Sequence, residues 1–168
     1  MARFNKEELA TRFFSDGREC IISADELFHE KDRGARSQYG ILLIHGVELL
    51  LKSYLLLKNT SLPDDRDKID KYLKRLGHKY KDIYDECKKY GDELSKQVSS
   101  ELPVSILEIY LDSMRHTYYE DSVGVRYVQE SGVVQFNPVT FAAITGYLIK
   151  PIHMLLFPNT TFLGDYGY

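Results

Sequence analysis

The chain has 168 residues, of which 22 are basic and 25 acidic, giving a net charge of -3 and a pI near 6.0. This balance excludes a protein coated with positive charge for nucleic acid along its whole length, so any nucleic-acid contact must be local. The two cysteines, Cys20 and Cys87, form no CxxC pair, which excludes a zinc ribbon or a disulfide scaffold and suits a reducing cytoplasm. The N-terminus has no apolar run before a small-residue cleavage site. We therefore predict a cytoplasmic protein with a single domain over residues 1–168.

Helix-start signals open the chain. Asn5 followed by Glu8 fits an N-terminal cap, and apolar residues then recur at three- and four-residue steps to about Lys31. This pattern predicts a long amphipathic helix. The polar link that follows contains Gly34, and Ser37 is predicted to cap the next helix. We expect these first two helices to pack antiparallel.

The stretch from Tyr39 to Leu57 is the most apolar in the chain, yet it carries three polar residues, His45, Glu48 and Lys52. At 100° per residue these lie on adjoining parts of one helical face, and Glu48 and Lys52 have the i,i+4 spacing of an ion pair. The stretch is long enough to span a bilayer, but a Glu and a Lys near its middle would be costly in lipid. It is therefore predicted to be the core helix of a soluble bundle, with no membrane contact.

Two shorter helices are predicted next. One runs from about Arg66 to Leu76 and ends at Gly77; His78 opens the other, which stops at Gly91. Between Arg66 and Lys81 the sequence has seven basic and two acidic residues, its only marked charge asymmetry. This basic patch either binds an anionic ligand or is simply a solvated helix face.

The last third of the chain is less regular. A helix is predicted from near Pro103 to about Glu120, after which residues 123–136 alternate as in a short hairpin or an extended excursion. Asn137 and Pro138 then form a cap and a first-turn proline, which predict the start of a last helix. Pro151 lies inside this helix and predicts a kink or a break near Tyr147 to Lys150. The aromatic tail is interpreted either as a flexible end or as a strap across a partner.

Common enzyme signatures are absent from the sequence. It has no phosphate-cradling glycine loop, no GxSxG elbow and no HExxH pair. His45 and Glu48 form one HxxE pair, whereas di-metal bundles need such pairs on two helices together with further carboxylates. We therefore predict no metal site and no cofactor.

A resemblance to a known family rests on a few short motifs. The arrangement HxxExxxK in the apolar helix, followed by Gly77 and His78 and later by Arg126 and Tyr127, resembles the HEPN-like helical domains of bacteria and archaea. The resemblance covers roughly Tyr39 to Leu156. It implies an all-α, up-and-down helical bundle, commonly a homodimer, that binds RNA or nucleotides and is often encoded in defence or toxin–antitoxin settings.

Active members of that family cleave RNA with an Arg and a His separated by four to six residues at the dimer interface, and this chain departs from that pattern. Arg75 is three positions before His78, and Arg115 immediately precedes His116. Metal-independent cleavage needs a base for the 2′-hydroxyl and a cation for the developing charge, so Arg115, His116 and His78 are the candidate catalytic residues. The side chains of Arg115 and His116 would diverge by about 100° around a helix, and an exposed helix end is the alternative interpretation.

Charged residues among leucines must be paired. Burying Glu48 or Lys52 alone would cost several kcal/mol, so we expect a buried polar cluster of His45, Glu48, Lys52 and His78. Such a cluster either fixes the register of the helices or binds a ligand.

The candidate ligand-binding residues are Lys79, Arg126 and Tyr127. Arg126 lies in an irregular stretch near tyrosines, where an Arg could bind phosphate while the rings stack on bases. Arg126 could equally be a strut that reaches back to Glu48.

Three functions follow from these observations. The leading hypothesis is an HEPN-like RNA- or nucleotide-binding domain that lacks the usual ribonuclease motif. The second is a divergent metal-independent endoribonuclease toxin, and the third is a protein-interaction module with a tyrosine-rich surface.

Overall fold

The computed structural model describes residues 5–29, 36–94, 107–108, 111 and 143–162. Its helices are α1 (Lys6–His29), α2 (Arg36–Lys58), α3 (Arg66–Leu76), α4 (Tyr80–Cys87) and α5 (Lys150–Leu156), and a π-helical turn, Thr145–Ile149, leads into α5. Leu107, Glu108 and Leu111 are also helical. These ranges contain no strand, and the all-α class is confirmed. The predicted hairpin excursion and most of the helix predicted from Pro103 lie outside the described residues.

The central helix is α2, as predicted. Every residue from Leu50 to Leu56 is buried, including the polar Lys52 and Ser53. α2 contacts α1, α4, the π-helical turn and α5, and it supplies more residues to the main core than any other helix of the described ranges. A helix with apolar residues on all sides must be covered all round, which explains this position.

One stretch within the described ranges, Tyr39–Lys58 of α2, is long and apolar enough to cross a membrane by length and composition alone. Most of it is buried inside the protein. The core helices of soluble proteins pass the same length and composition test, and the burial of α2 favours that interpretation. The absence of membrane contact stays a prediction.

α1 and α2 pack antiparallel, as expected. Ser53 Oγ donates to the Ala10 carbonyl oxygen at 2.7 Å, and Gly17 lies against Gly46. The residue number rises along α1 as it falls along α2, so the two helices run in opposite directions.

This crossing depends on two glycines. A Cβ atom on Gly46 would lie 2.8 Å from the Gly17 carbonyl oxygen and 2.8 Å from Ile21 Cδ1. A Cβ atom on Gly17 would lie 2.9 Å from Leu50 Cγ. A side chain at either position would therefore force the neighbouring helix or its side chains to shift.

α1 also holds the loop that leads into α3. Lys6 Nζ donates to the carbonyl oxygens of Asn59 and Leu62 at 3.0 and 2.8 Å. A small buried cluster then joins α1, α2 and α3 through one apolar residue from each: Ala10, Leu56 and Ile69. These contacts fix α3 on one side and leave its basic residues on the other.

α3 begins and ends where the sequence predicts. Asp65 Oδ1 accepts a hydrogen bond from Lys68 N at 3.1 Å, which caps the first turn of the helix. At the other end, Gly77 has a φ of 69°, a conformation that side chains disfavour, and its N–H donates to the Leu73 carbonyl oxygen. Local cap chemistry therefore sets both ends of α3.

Two predicted helix starts are wrong by one or two residues. α2 is already helical at Arg36, so Ser37 is not its cap. α4 begins at Tyr80, so His78 does not open it but lies in the turn after Gly77. The positive φ of Gly77 redirects the chain, and the next helix starts only once that turn is complete.

α4 ends at Cys87, four residues before the predicted stop at Gly91, and the chain after it brings Glu93 against α2. Tyr54 OH donates to Glu93 Oε2 at 2.6 Å, and Lys58 Nζ donates to Oε1. Burial opposes ionisation, but these two hydrogen bonds lower the pKa of Glu93 to about 2. A Cβ atom on Gly91 would lie 2.6 Å from Tyr54 OH, so glycine leaves the room for this contact.

The kink or break predicted near Tyr147 to Lys150 falls on a π-helical turn, Thr145–Ile149, that continues into α5. Pro151 has no N–H to donate, and in a regular α-helix its ring would clash with the carbonyl of Tyr147. The π-helical turn, whose hydrogen bonds span five residues, includes Tyr147 and ends two residues before this proline.

We expect the substitution Gly46→Ala to destabilise the protein by about 1–3 kcal/mol, because the added methyl group overpacks the α1–α2 crossing against backbone. The midpoint of urea denaturation measures this loss. Gly146→Ala is the control: no atom of the described neighbouring residues lies within 4 Å of its added Cβ, so its stability should be unchanged or slightly higher. Equal midpoints for the two variants would contradict the close crossing.

Candidate functional site

A buried ionic cluster lies on α2. Glu48 is only 2% exposed, and its Oε1 accepts from Lys52 Nζ at 2.7 Å and contacts His78 Nδ1 at 2.9 Å. The predicted pair of Glu48 and Lys52 is therefore present. His78 joins the turn after α3 to the central helix through the same oxygen.

The predicted cluster needs two corrections. The His78 side chain is 62% exposed, so it covers the buried carboxylate from the surface and is not itself buried. His45 is half-buried and makes no hydrogen bond to Glu48 or Lys52 in the described part of the chain. Its position three residues before Glu48 places it on a neighbouring part of the helix, beside the pair and not in it.

The contact with Glu48 orients the His78 ring. A carboxylate only accepts hydrogen bonds, so the ring nitrogen that contacts it, Nδ1, carries the hydrogen. In the neutral ring Nε2 then keeps a lone pair, and the exposure of the side chain gives that nitrogen access to solvent. A carboxylate-held imidazole of this kind can accept and return a proton.

The second cluster of polar residues is on the outer side of α3. Lys68, Lys71 and Arg75 recur at i, i+3 and i+7, which places them on one face of the helix, and all three are exposed. Together with Tyr72 they line a surface depression of about 340 Å³. We call these four residues the α3 basic face.

Tyr72 supports this face from below. The residue is only 8% exposed, and the Arg75 guanidinium lies over its ring, 5.3 Å from the centroid. Such a cation–π contact restricts the guanidinium without using its hydrogen-bond donors. Arg75 is therefore held in place, and none of the described residues accepts a hydrogen bond from its guanidinium.

Other basic residues of the patch are paired with carboxylates or lie beyond α3. Arg66 pairs with Asp70 at 3.9 Å, and Lys81 pairs with Glu108 at 3.2 Å. Lys79, a predicted ligand-binding residue, is exposed at the cap position of α4. Within the described ranges no carboxylate lies at ion-pair distance from the side chains of the basic face.

A carboxylate lies near one end of the face. A hydrogen bond from Lys89 is the main cause that lowers the pKa of Glu86; burial opposes the shift, and the Tyr90 hydroxyl and the Arg75 charge add to it. Glu86 is thus ionised and already engaged by Lys89 Nζ, at 2.6 Å. Glu86 therefore marks the edge of the basic face on the α4 side, and its negative charge does not cancel the positive charge of that face.

Several predicted site residues cannot be placed. Arg115, His116, Arg126 and Tyr127 lie outside the described residues, so their predicted roles stay predictions. Sequence reasoning counted Lys68, Lys71 and Arg75 in the basic patch but did not select them as binding residues. The signal was available, since their spacing of i, i+3 and i+7 repeats on one face of a helix.

Among the described residues, no group of three or more His, Cys, Asp or Glu side chains is placed to hold a metal ion. No family model matches the chain, and no curated protein or solved structure matches it either.

We expect Lys52→Met to destabilise the protein by about 3 kcal/mol, because it leaves the buried Glu48 carboxylate without its closest cation. Chemical denaturation measures the loss. The double variant Glu48→Met/Lys52→Met should recover much of it, since two apolar side chains of similar volume need no partner.

The control for this experiment is Lys74→Met, which removes an exposed lysine of α3 and should change stability by less than about 0.5 kcal/mol. A Lys52→Met variant as stable as this control would show that the buried pair does not neutralise Glu48.

Proposed function

We propose that the chain is an HEPN-like domain that binds RNA or nucleotides, and that the α3 basic face makes the main contact. The observation that carries this proposal is the row of three exposed cations around one depression, with Arg75 held over Tyr72. The family resemblance of the sequence supports the same ligand class. It also supports a homodimer in the cytoplasm, in a defence or toxin–antitoxin setting.

Physical chemistry favours phosphate at this face. Lysine ammonium groups attract phosphate as point charges, and an arginine can donate two parallel hydrogen bonds to one phosphate group. The protein as a whole is slightly acidic, so a local basic face is a place where an anionic ligand can bind. Lys79, which is exposed two residues after Gly77, is a further candidate contact, and Arg126 and Tyr127 stay predicted ligand-binding residues.

We expect the triple variant Lys68→Ala/Lys71→Ala/Arg75→Ala to bind single-stranded RNA about 100-fold more weakly at 0.1 M salt. Each lost phosphate contact lowers the slope of log K against log salt by about 0.7 for single strands, so three contacts lower it by about 2. Fluorescence anisotropy with a labelled 20-mer, repeated at several salt concentrations, measures both quantities.

Lys150→Ala is the matched control, because it removes an exposed lysine that lies on another helix, α5. It should bind RNA as the wild type does. Circular dichroism establishes that all variants are folded. If the triple variant keeps the affinity and the salt slope of the wild type, the α3 basic face is not the binding surface.

A second candidate function is a metal-independent endoribonuclease, and the contact between His78 and Glu48 favours it. His78 Nε2 would accept the proton of a 2′-hydroxyl while the 2′-oxygen bonds to phosphorus. The bond to the 5′-oxygen then breaks, and that oxygen takes a proton from water, leaving a 2′,3′-cyclic phosphate and a 5′-hydroxyl. Glu48 would hold the imidazole in the required tautomer.

We expect His78→Gln to lower the rate of RNA cleavage by at least about 100-fold, because it removes the proton acceptor. EDTA should leave the wild-type rate unchanged. A gel assay that detects the 2′,3′-cyclic phosphate end measures the rate.

His29→Gln is the control, since His29 is also exposed and lies beside a carboxylate, 3.5 Å from Asp25. Cleavage that survives in His78→Gln, or that stops in both variants, would exclude His78 as the acceptor. If the wild type binds RNA without cleaving it, the ribonuclease hypothesis fails and only the binding function is supported.

A further inference from the structure

Arg75 differs from the two lysines of the α3 basic face in how its charge is held. Its guanidinium lies over the Tyr72 ring, 5.3 Å from the centroid, and the ring is itself fixed because only 8% of Tyr72 is exposed. Arg75 therefore presents its N–H donors as a planar fork on a fixed support. Lys68 and Lys71 are exposed, and an ammonium group on a flexible stem acts as a mobile point charge.

A fixed fork of donors matches two groups in RNA. One is a phosphate, and the other is the edge of guanine on which O6 and N7 are both acceptors. Adenine places an N6 donor beside N7, so it can accept only one of the two hydrogen bonds. Single-stranded RNA leaves this edge of its bases accessible to side chains. Arg75 is thus able to distinguish guanine from adenine.

The electrostatic surroundings of Arg75 favour a base over a phosphate. Arg75 lies in the last turn of α3, where the helix dipole places partial negative charge. The Glu86 carboxylate also lies close enough to Arg75 for the two charges to interact. Both weaken the attraction of a phosphate to this end of the helix, whereas a neutral base is little affected. Lys68 lies in the first turn, where the dipole favours an anion, and Lys71 lies between the two ends.

We infer that Arg75 reads guanine in single-stranded RNA by donating to O6 and N7, while Lys68 and Lys71 contact phosphates of the same strand. Tyr72 is a positioning residue that holds the guanidinium in place. The charge of Arg75 still attracts the strand, so the salt dependence expected of the basic face is unchanged. This inference rests on the proposed function and adds base specificity to the same surface.

The test is a set of anisotropy titrations of the full chain with four labelled oligouridine 20-mers. At the same separated positions they carry guanosine, inosine, 7-deazaguanosine or adenosine, so all four have equal charge. Inosine keeps O6 and N7, whereas 7-deazaguanosine has a carbon in place of N7. We expect the guanosine and inosine strands to bind equally within about twofold, the 7-deazaguanosine strand at least about threefold more weakly, and the adenosine strand about tenfold more weakly.

Arg75→Lys is the matched variant, because it keeps the charge and removes the planar fork. It should keep the salt slope of the wild type and bind the guanosine and adenosine strands equally within about threefold. Tyr72→Leu removes the supporting ring and should also lose most of the preference, whereas Tyr72→Phe keeps the ring and should retain it. Circular dichroism establishes that each variant is folded, and Arg75→Lys decides the test if Tyr72→Leu is not.

The triple variant separates failure of the inference from failure of the proposed function. If the wild type binds all four strands equally and the triple variant loses that binding, the surface is correct and the inference is wrong. A guanine preference that persists in Arg75→Lys, or that is absent for inosine, also overturns the inference, because a different residue or a different edge of the base is then read. If the triple variant binds RNA as the wild type does, or the wild type binds no RNA, the proposed function itself fails.

Discussion

A single buried carboxylate constrains the arrangement of the helices around α2. Glu48 lies in the most apolar helix of the described chain, and an unpaired charge there would cost several kcal/mol. Lys52 supplies one partner from the next turn of the same helix, and His78 supplies a second from the turn after α3. Because these contacts share one oxygen atom, they tie the end of α3 to the middle of α2. The position of the α3 basic face follows from this tie and from the Lys6 contacts at the other end.

The sequence was sufficient for the helices whose limits are set locally. The bounds of α3 follow from a side-chain cap at Asp65 and a glycine with a positive φ, and both signals can be recognised in the residue order. The position of His78 could not be predicted in the same way. Whether a residue after such a glycine continues into a helix or remains in the turn depends on its tertiary partner, here a carboxylate 30 positions away.

The candidate site shows a similar division. Counting charges located the basic patch, but every basic residue in it contributes equally to a count. The structure separates them, because Arg66 and Lys81 are paired with carboxylates whereas Lys68 and Lys71 are not neutralised in the described ranges. The partner of Lys81 is Glu108, 27 positions along the chain, and no helical period connects them. Periodicity predicts which residues share a face, and only tertiary contacts decide which charges that face retains.

The two candidate activities are structurally compatible because they involve consecutive parts of one segment. Arg75 lies in the last turn of α3, and His78 follows it across the Gly77 turn. A phosphate chain lying along α3 would therefore lead toward the His78 imidazole that contacts Glu48. Binding at the basic face requires only exposed cations, whereas proton transfer also requires that Glu48 keep the His78 ring in one tautomer. The contact between Glu48 and His78 can therefore keep its structural role even where it has no catalytic one. A domain built in this way can bind nucleic acid whether or not it cleaves it.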